Sequence, residues 1–251
     1  MQFTARTRRI NGSDISVIEE TVEWDGTKTA LILCDMWDKH WCDGAADRVA
    51  ELAPVMDEAV NAARNQGVLV IHSPSDTMAF YEGTPQRRRA TEAPDAKFPE
   101  QTPPYHHPNE PPLPIDDSDG GCDSGQEGYR AWSRQHPLIT IAPEDAISDS
   151  GREVYNLLHQ EGRDRVLLMG VHTNMCILGR SFAIRSLRGL NIPVMLVRDM
   201  TDAMYNPARP PYVNHFEGTR RVIAHIETYL CPTIESANIT GSAPFRYQDD
   251  R

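Results

Sequence analysis

The chain has 251 residues, of which 39% are hydrophobic, 24% charged and 7% aromatic, a globular composition rather than a disordered or fibrous one. Its 36 acidic residues outnumber 25 basic ones, and the net charge of -11 disfavours a phosphate backbone or an anionic membrane as partner. No apolar run approaches the roughly 20 residues that span a bilayer. The five cysteines are odd in number and follow no charged-then-apolar leader, which argues against a secreted disulfide framework. The expectation is one domain over residues 1–251 in a reducing cytoplasm, soluble, with no nucleic acid or membrane partner. A chain of this length buries about 70 to 75% of its unfolded surface, so its core needs no metal or disulfide.

Residues 1–28 carry polar and β-branched side chains, including Val17, Thr21 and Val22, and are read as an added hairpin or edge ribbon. The apolar run 30–34 predicts a first strand. Val49, Leu52, Val55, Met56, Ala59, Val60 and Ala63 then fall at steps of three and four, a helix that stops at Gly67. A second strand follows at 68–72. Residues 77–136 hold nine of the 19 prolines and the acidic, glycine-rich stretch 116–125, without sustained period. A segment this long and irregular is a lid, a binding loop or an inert surface insertion.

Strands are expected again at 138–142, 166–170, 192–197 and 233–240. A helix capped by Ser150 or Asp149 runs through Val154, Leu157 and Leu158 to Gly162, another spans 176–187 and ends at Gly189, and a last one covers 216–230. This alternation predicts an α/β fold, a doubly wound and mainly parallel six-stranded sheet with helices on both faces. Ligands in such sheets bind beyond the carboxyl ends of the strands, where the strand order reverses.

Two strand ends carry chemistry. In 166–180, VLLMGVHTNMCILGR, an apolar strand meets a short polar turn and then a helix, with Cys176 at the junction. A sulfur in the first helical turn lies among unpaired backbone N–H groups, which favour a thiolate and face an oxyanion. The alternative is a buried cysteine packing as a small hydrophobe. In 30–42, ALILCDMWDKHWC, the strand ends in Asp35, a carboxylate placed to take a proton from a nearby thiol or simply to make a local turn. Trp37, His40 and Trp41 follow, as pocket walls for a flat substrate or as packing anchors. Asp35, His40 and Cys42 match no metal-ligand spacing.

The aspartate that closes strand one, together with the strand-turn-helix G-V-x-T-x-x-C, resembles the isochorismatase-like cysteine hydrolases, a superfamily with nicotinamidases, N-carbamoylsarcosine amidases and ureidoacrylate hydrolases. The resemblance spans residues 29–230 and is specific in strand one and in 170–176. It implies Cys176 as nucleophile, Asp35 as its base, and a cis peptide between Val171 and His172 that shapes an oxyanion hole with Val171, His172 and Met175. It further implies a homo-oligomer acting on a small-molecule amide, imide or carbamoyl C–N bond through a thioester, without cofactor.

The family's lysine, at the end of strand three, has no counterpart: the run LITIAPEDAISDSG offers Ala142, Pro143 or Glu144, and the only lysines are Lys28, Lys39 and Lys97. Three arrangements stay open. Glu144 is a second acid/base while the helix start alone activates the sulfur; Arg180 supplies the cation, anchors an anionic substrate, or pairs with Glu144 or Asp35; or hydrolysis is lost and a binding protein remains. Trp37, His40 and Arg180 are the candidate substrate contacts. No metal is expected: the close histidine pair of the nicotinamidases is missing after His72, and His106 and His107 lie far along the insertion. Asp116, Asp117, Asp119 and Asp123 do not fit the twelve-residue calcium loop and are read as solvated turns. Asp199, Thr201 and Asp202 are read as structural support or a subunit contact.

Overall fold

The computed structural model describes residues 1–12, 14–99, 102–126 and 128–250. Its centre is the strand β3 (Thr29–Cys34), every residue of which is buried. Successive side chains of a strand point to opposite faces. Ala30, Ile32 and Cys34 accordingly enter one apolar core and Leu31 and Leu33 the other. With both faces covered, the strand is apolar throughout rather than alternating. β4 (Leu69–Ser73) and β6 (Arg165–Val171) flank it in parallel, and β7 (Val194–Asp202) lies parallel to β6 on its far side.

The helices cover both faces. Val49, Leu52, Met56 and Val60 of α1 (Asp43–Asn65) fill one core, joined by Ile239 of α7 (Ala237–Thr240). The other core takes α3 (Gly151–Gln160), α4 (Cys176–Gly179), α5 (Ile184–Gly189) and α6 (His215–Tyr229). Ser150 caps α3 by accepting from the Glu153 amide, as its position before the apolar stripe predicts.

Among the described residues the sheet has eight strands rather than six. Its order is β2-β1-β8-β7-β6-β3-β4-β5, with β1 (Gln2–Asn11), β2 (Asp14–Glu23), β5 (Ala146–Ile147) and β8 (Thr233–Ile234). The expected N-terminal ribbon is the antiparallel pair β1 and β2, which joins the sheet through Arg6 and Thr233. The run 138–142 is not a strand. Ile139 is buried, but its amide donates to the His136 carbonyl, and the edge strand forms later, at Ala146–Ile147 against Ile71 and His72. Residues 233–240 divide into β8 and α7. The helix expected over 176–187 is broken: Arg180 is extended at φ -64° and ψ 152°, and helix resumes only at Ile184. Gly179, a weak helix former, and the burial of Phe182 decide the break.

From β3 the chain passes through α1 to β4 and β5, then returns to the other side of β3 as β6. The order reverses between β3 and β6, and the crevice beyond their carboxyl ends is where a ligand site belongs. The insertion is largely irregular but holds a 3-10 turn (Met78–Tyr81) and the short helix α2 (Pro85–Thr91). It ends by pairing Gln135 with Trp37 across the reversal point.

Candidate active site

Asp35 leaves β3 in a left-handed conformation, φ 49°, a sparsely populated region for a residue with a side chain. Its side chain is fully buried. One carboxylate oxygen, Oδ1, accepts from the Ser75 amide at 2.8 Å; the other, Oδ2, accepts from Arg180 Nε at 2.8 Å, and the Cys176 thiol donates to the same group. β6 brings Cys176 there. Gly170 sits at φ 119° with its Cα so close to β3 that a Cβ would lie 2.0 Å from the Cys34 carbonyl oxygen, so this strand end approaches β3 only as glycine. The peptide between Val171 and His172 is cis.

Burial pushes the Asp35 carboxyl above its ordinary value, against the pull of Arg180, the Cys176 thiol and the Ser75 amide. Burial and the Asp35 charge together push the Cys176 thiol up to about 12, opposed by Arg180 and by the His172 amide. The expectation of a resting thiolate held by a helix start is therefore corrected. The sulfur is half-buried beside a carboxylate, and α4 is a single turn with little dipole to offer. Of the roles open to Arg180, the pairing with Asp35 is the one present: it reaches that carboxylate from the break between α4 and α5, and its Nη2 lies 3.8 Å from Asp76.

Of the amides named for an oxyanion, that of Met175 donates to the His172 carbonyl at 3.0 Å and is engaged inside the turn. That of His172 is directed at the sulfur. Val171 is the last residue of β6. Glu144 is not in the site. It precedes β5, at the amino edge of the sheet, and its largely exposed carboxylate lies 3.9 Å from Arg64 at the end of α1. The misplaced strand is the cause: with β5 at Ala146–Ile147, its carboxyl end carries Ser148, Asp149 and Ser150, again without a lysine.

Trp37 and His40 line a small cavity beside Asp35. The Trp37 indole Nε1 donates to the Ser75 carbonyl, and its ring stacks on Trp132 of the insertion with centroids 4.2 Å apart and planes 12° off parallel. His40 stacks on the same indole at 5.8 Å and meets His172 edge-on at 5.0 Å. Burial pushes His40 down to about 4, against the Cys42 amide, and His172 down to about 3, so both rings are neutral near pH 7. The cavity between Asp35, Trp37, His40 and His172 measures about 10 Å³, room for about one water molecule. Cavities of about 680 and 800 Å³ lie instead along the ribbon side of the sheet and include neither Asp35 nor Cys176.

Ser75 and Trp132 have no place among the residues singled out from sequence. Ser75 stands just beyond a strand's carboxyl end, a rule that could have found it; Trp132 lies in an unpatterned stretch that signals nothing. The acidic run of the insertion does form turns, with Asp116 and Asp119 accepting from the Ser118 and Gly121 amides and Asp119 exposed, but part of it is also paired: Asp116 with Arg209 at 2.9 Å, Asp117 with Asn174, and Asp123 with Arg48 at 2.6 Å. Asp202, fully buried, accepts from both Arg48 and His215, and these partners hold its carboxyl well below the usual range against its burial. His72 is held between Gln135 and Asp145 in the core.

No protein-family model matches the sequence, and neither does any curated protein. Solved structures do. A cysteine hydrolase from Pseudomonas syringae pv. phaseolicola 1448A superposes with a TM-score of 0.55 at 18% identity, over 88% of this chain and 95% of that one. An isochorismatase family protein from Desulfovibrio vulgaris subsp. vulgaris str. Hildenborough gives 0.49 at 16%, over 85% and 97%. The N-carbamoylsarcosine amidase from Thermoplasma acidophilum gives 0.45 at 15%, over 83% and 96%. At these identities the likeness is one of fold, and the first of them carries it: the chain shares the α/β fold of that cysteine hydrolase.

Proposed function

We propose that the protein is a cysteine hydrolase that opens a small-molecule amide, imide or carbamoyl C–N bond through a thioester. The observation that carries this reading is one buried carboxylate, that of Asp35, shared between the Cys176 thiol and the Arg180 guanidinium at the sheet's reversal point. Because the thiol is neutral at rest, proton loss accompanies attack. As Cys176 Sγ bonds to the carbonyl carbon, its proton moves to Asp35, which burial makes a stronger base than an exposed aspartate.

The carbonyl electrons move to oxygen, where backbone amides at His172 and Cys176 face the oxyanion; one such donor is worth about 3 to 4 kcal/mol in a transition state. Collapse expels the amine, which takes the proton from Asp35. Water, deprotonated by the same carboxylate, then cleaves the thioester and the proton returns to sulfur. In this scheme Arg180 keeps Asp35 ionised between steps and supplies the positive charge that a lysine on strand three would have brought. Trp37 and His40 form the entrance for a flat acyl group.

A screen of small amides and carbamoyl compounds tests the proposal. A substrate whose acyl group appears as a mass increment on Cys176, with turnover lost in Cys176→Ala and Asp35→Asn, is the expected result. Turnover that survives both substitutions overturns it. A second reading, a binding protein that keeps the fold, draws on the nearly filled cavity under Trp37 and Trp132.

A further inference from the structure

Two thiols and a carboxylate that take no part in the Asp35–Cys176 pair meet at the start of α1. Cys42, the residue before α1, and Cys122 of the insertion are both buried, and with Asp123 their sulfur and oxygen atoms all lie within 4.8 Å of one another. Cys42 Sγ is 3.4 Å from Asp123 Oδ1 and 3.3 Å from Ser124 Oγ, and Cys122 Sγ is 3.4 Å from the same Ser124 Oγ. With zinc–sulfur and zinc–oxygen bonds of about 2.3 and 2.0 Å, neighbouring corners of a tetrahedral site are about 3.5 Å apart for sulfur and oxygen. The observed spacings match those edges. We infer that Cys42, Cys122 and Asp123, with Ser124 at the fourth corner, form a binding site for a thiophilic divalent metal ion such as zinc.

The surroundings are built for this arrangement. Arg48 Nη1 holds Asp123 Oδ2 at 2.6 Å while its Nε is anchored on Asp202, so the second carboxylate oxygen is turned toward Cys42. Gly44 leaves that oxygen its space, since a Cβ there would lie 2.3 Å from Asp123 Oδ1. Ala45, Met204, Trp41 and Met175 pack around the sulfurs as a small apolar cluster of their own. Thiolates select a soft cation over calcium or magnesium; two of them match its double charge, and the Asp123 carboxylate is offset by Arg48. On binding, the ion takes the place of the two thiol protons, which pass to solvent. The site would fasten the insertion to the start of α1 directly behind Met175, the neighbour of Cys176.

Titration of the reduced, metal-free full-length protein with Co2+ tests this. One equivalent should give thiolate-to-cobalt charge-transfer absorption in the near ultraviolet, abolished by added Zn2+. The signal should persist in Cys176→Ala and vanish in Cys42→Ser and in Cys122→Ser, and Asp123→Asn should weaken Zn2+ binding by about tenfold or more. Absence of the band in the wild type overturns the inference, as does a band that survives loss of Cys42 and Cys122. Formation of only a Cys42–Cys122 disulfide on peroxide treatment, with no metal uptake by the reduced protein, overturns it as well.

Discussion

Arg180 Nε and the Cys176 thiol bind the same carboxylate, that of Asp35, so the charge that raises the thiol's pKa is also the one that a cation holds in place. Removing that charge must make the sulfur easier to ionise. In Asp35→Asn, iodoacetamide should alkylate Cys176 faster than in the wild type while turnover disappears. In the wild type the alkylation rate should climb about tenfold per pH unit through the neutral range and beyond, with no plateau until the thiol's own titration at about 12 is approached. Peptide mapping of the alkylated cysteine gives the rate, and a plateau near neutrality would contradict the shift.

Arg180 is the group that opposes the desolvation of Asp35. Arg180→Met should therefore raise the Asp35 pKa further, and the acidic limb of kcat/KM, which requires the carboxylate ionised, should move to higher pH. Arg180→Lys should bring the limb partly back, since it keeps the charge and loses the fixed geometry of the fork. A limb unmoved in Arg180→Met would exclude the arginine from controlling the base.

His40 and His172 are held neutral by burial, with values of about 4 and about 3, below the ordinary value of 6.5. The unfolded chain takes up their protons first. Their contribution to stability is thus complete above pH about 6.5 and is lost as the pH falls through about 4 and on toward about 3. Urea unfolding midpoints across this range should fall more steeply for the wild type than for His172→Gln. Parallel curves for the two proteins would contradict the assignment.

Trp132 covers the pocket from a segment with few regular contacts. Trp132→Ala should forfeit a stack worth about 0.5 to 1.5 kcal/mol. It should also expose the sulfur, so that alkylation of Cys176 quickens several-fold with little change in its pH profile. An unchanged alkylation rate would show that the indole does not control entry.

Gly170→Ala should be far more damaging than an ordinary small substitution. The residue sits at φ 119° and the added methyl would overlap the Cys34 carbonyl, backbone against backbone, in the middle of the sheet. A loss on the order of 4 kcal/mol or more is expected, read from the urea midpoint or from failure to recover folded protein.

The parts of this molecule legible in its sequence are those where a local signal and the tertiary structure agree. β3, β4, β6 and β7 are apolar because both faces are covered, and Ser150 caps α3 because its hydroxyl meets a free amide. Asp35 stands out as a polar residue directly after such a strand, and Cys176 as the first residue of the helix that follows another. The rest depends on contacts between distant segments. β5 has two residues, too few for any period, and the more apolar 138–142 draws the eye instead. At the break, Arg180 finds its partner in Asp35, 145 positions earlier in the chain. Cys42 and Cys122 meet across 80 residues; each neighbourhood offers ligand-type side chains, but no local spacing joins the two.

The break between α4 and α5 places sulfur, neighbouring amides and guanidinium on one continuous segment, residues 170–180, where a lysine on another strand would have split them between two elements. The segment is in that sense portable. Transplanted behind a strand that already ends in an aspartate, it would carry its own counterion with it, and two functions that elsewhere are inherited separately would here be gained or lost in a single step.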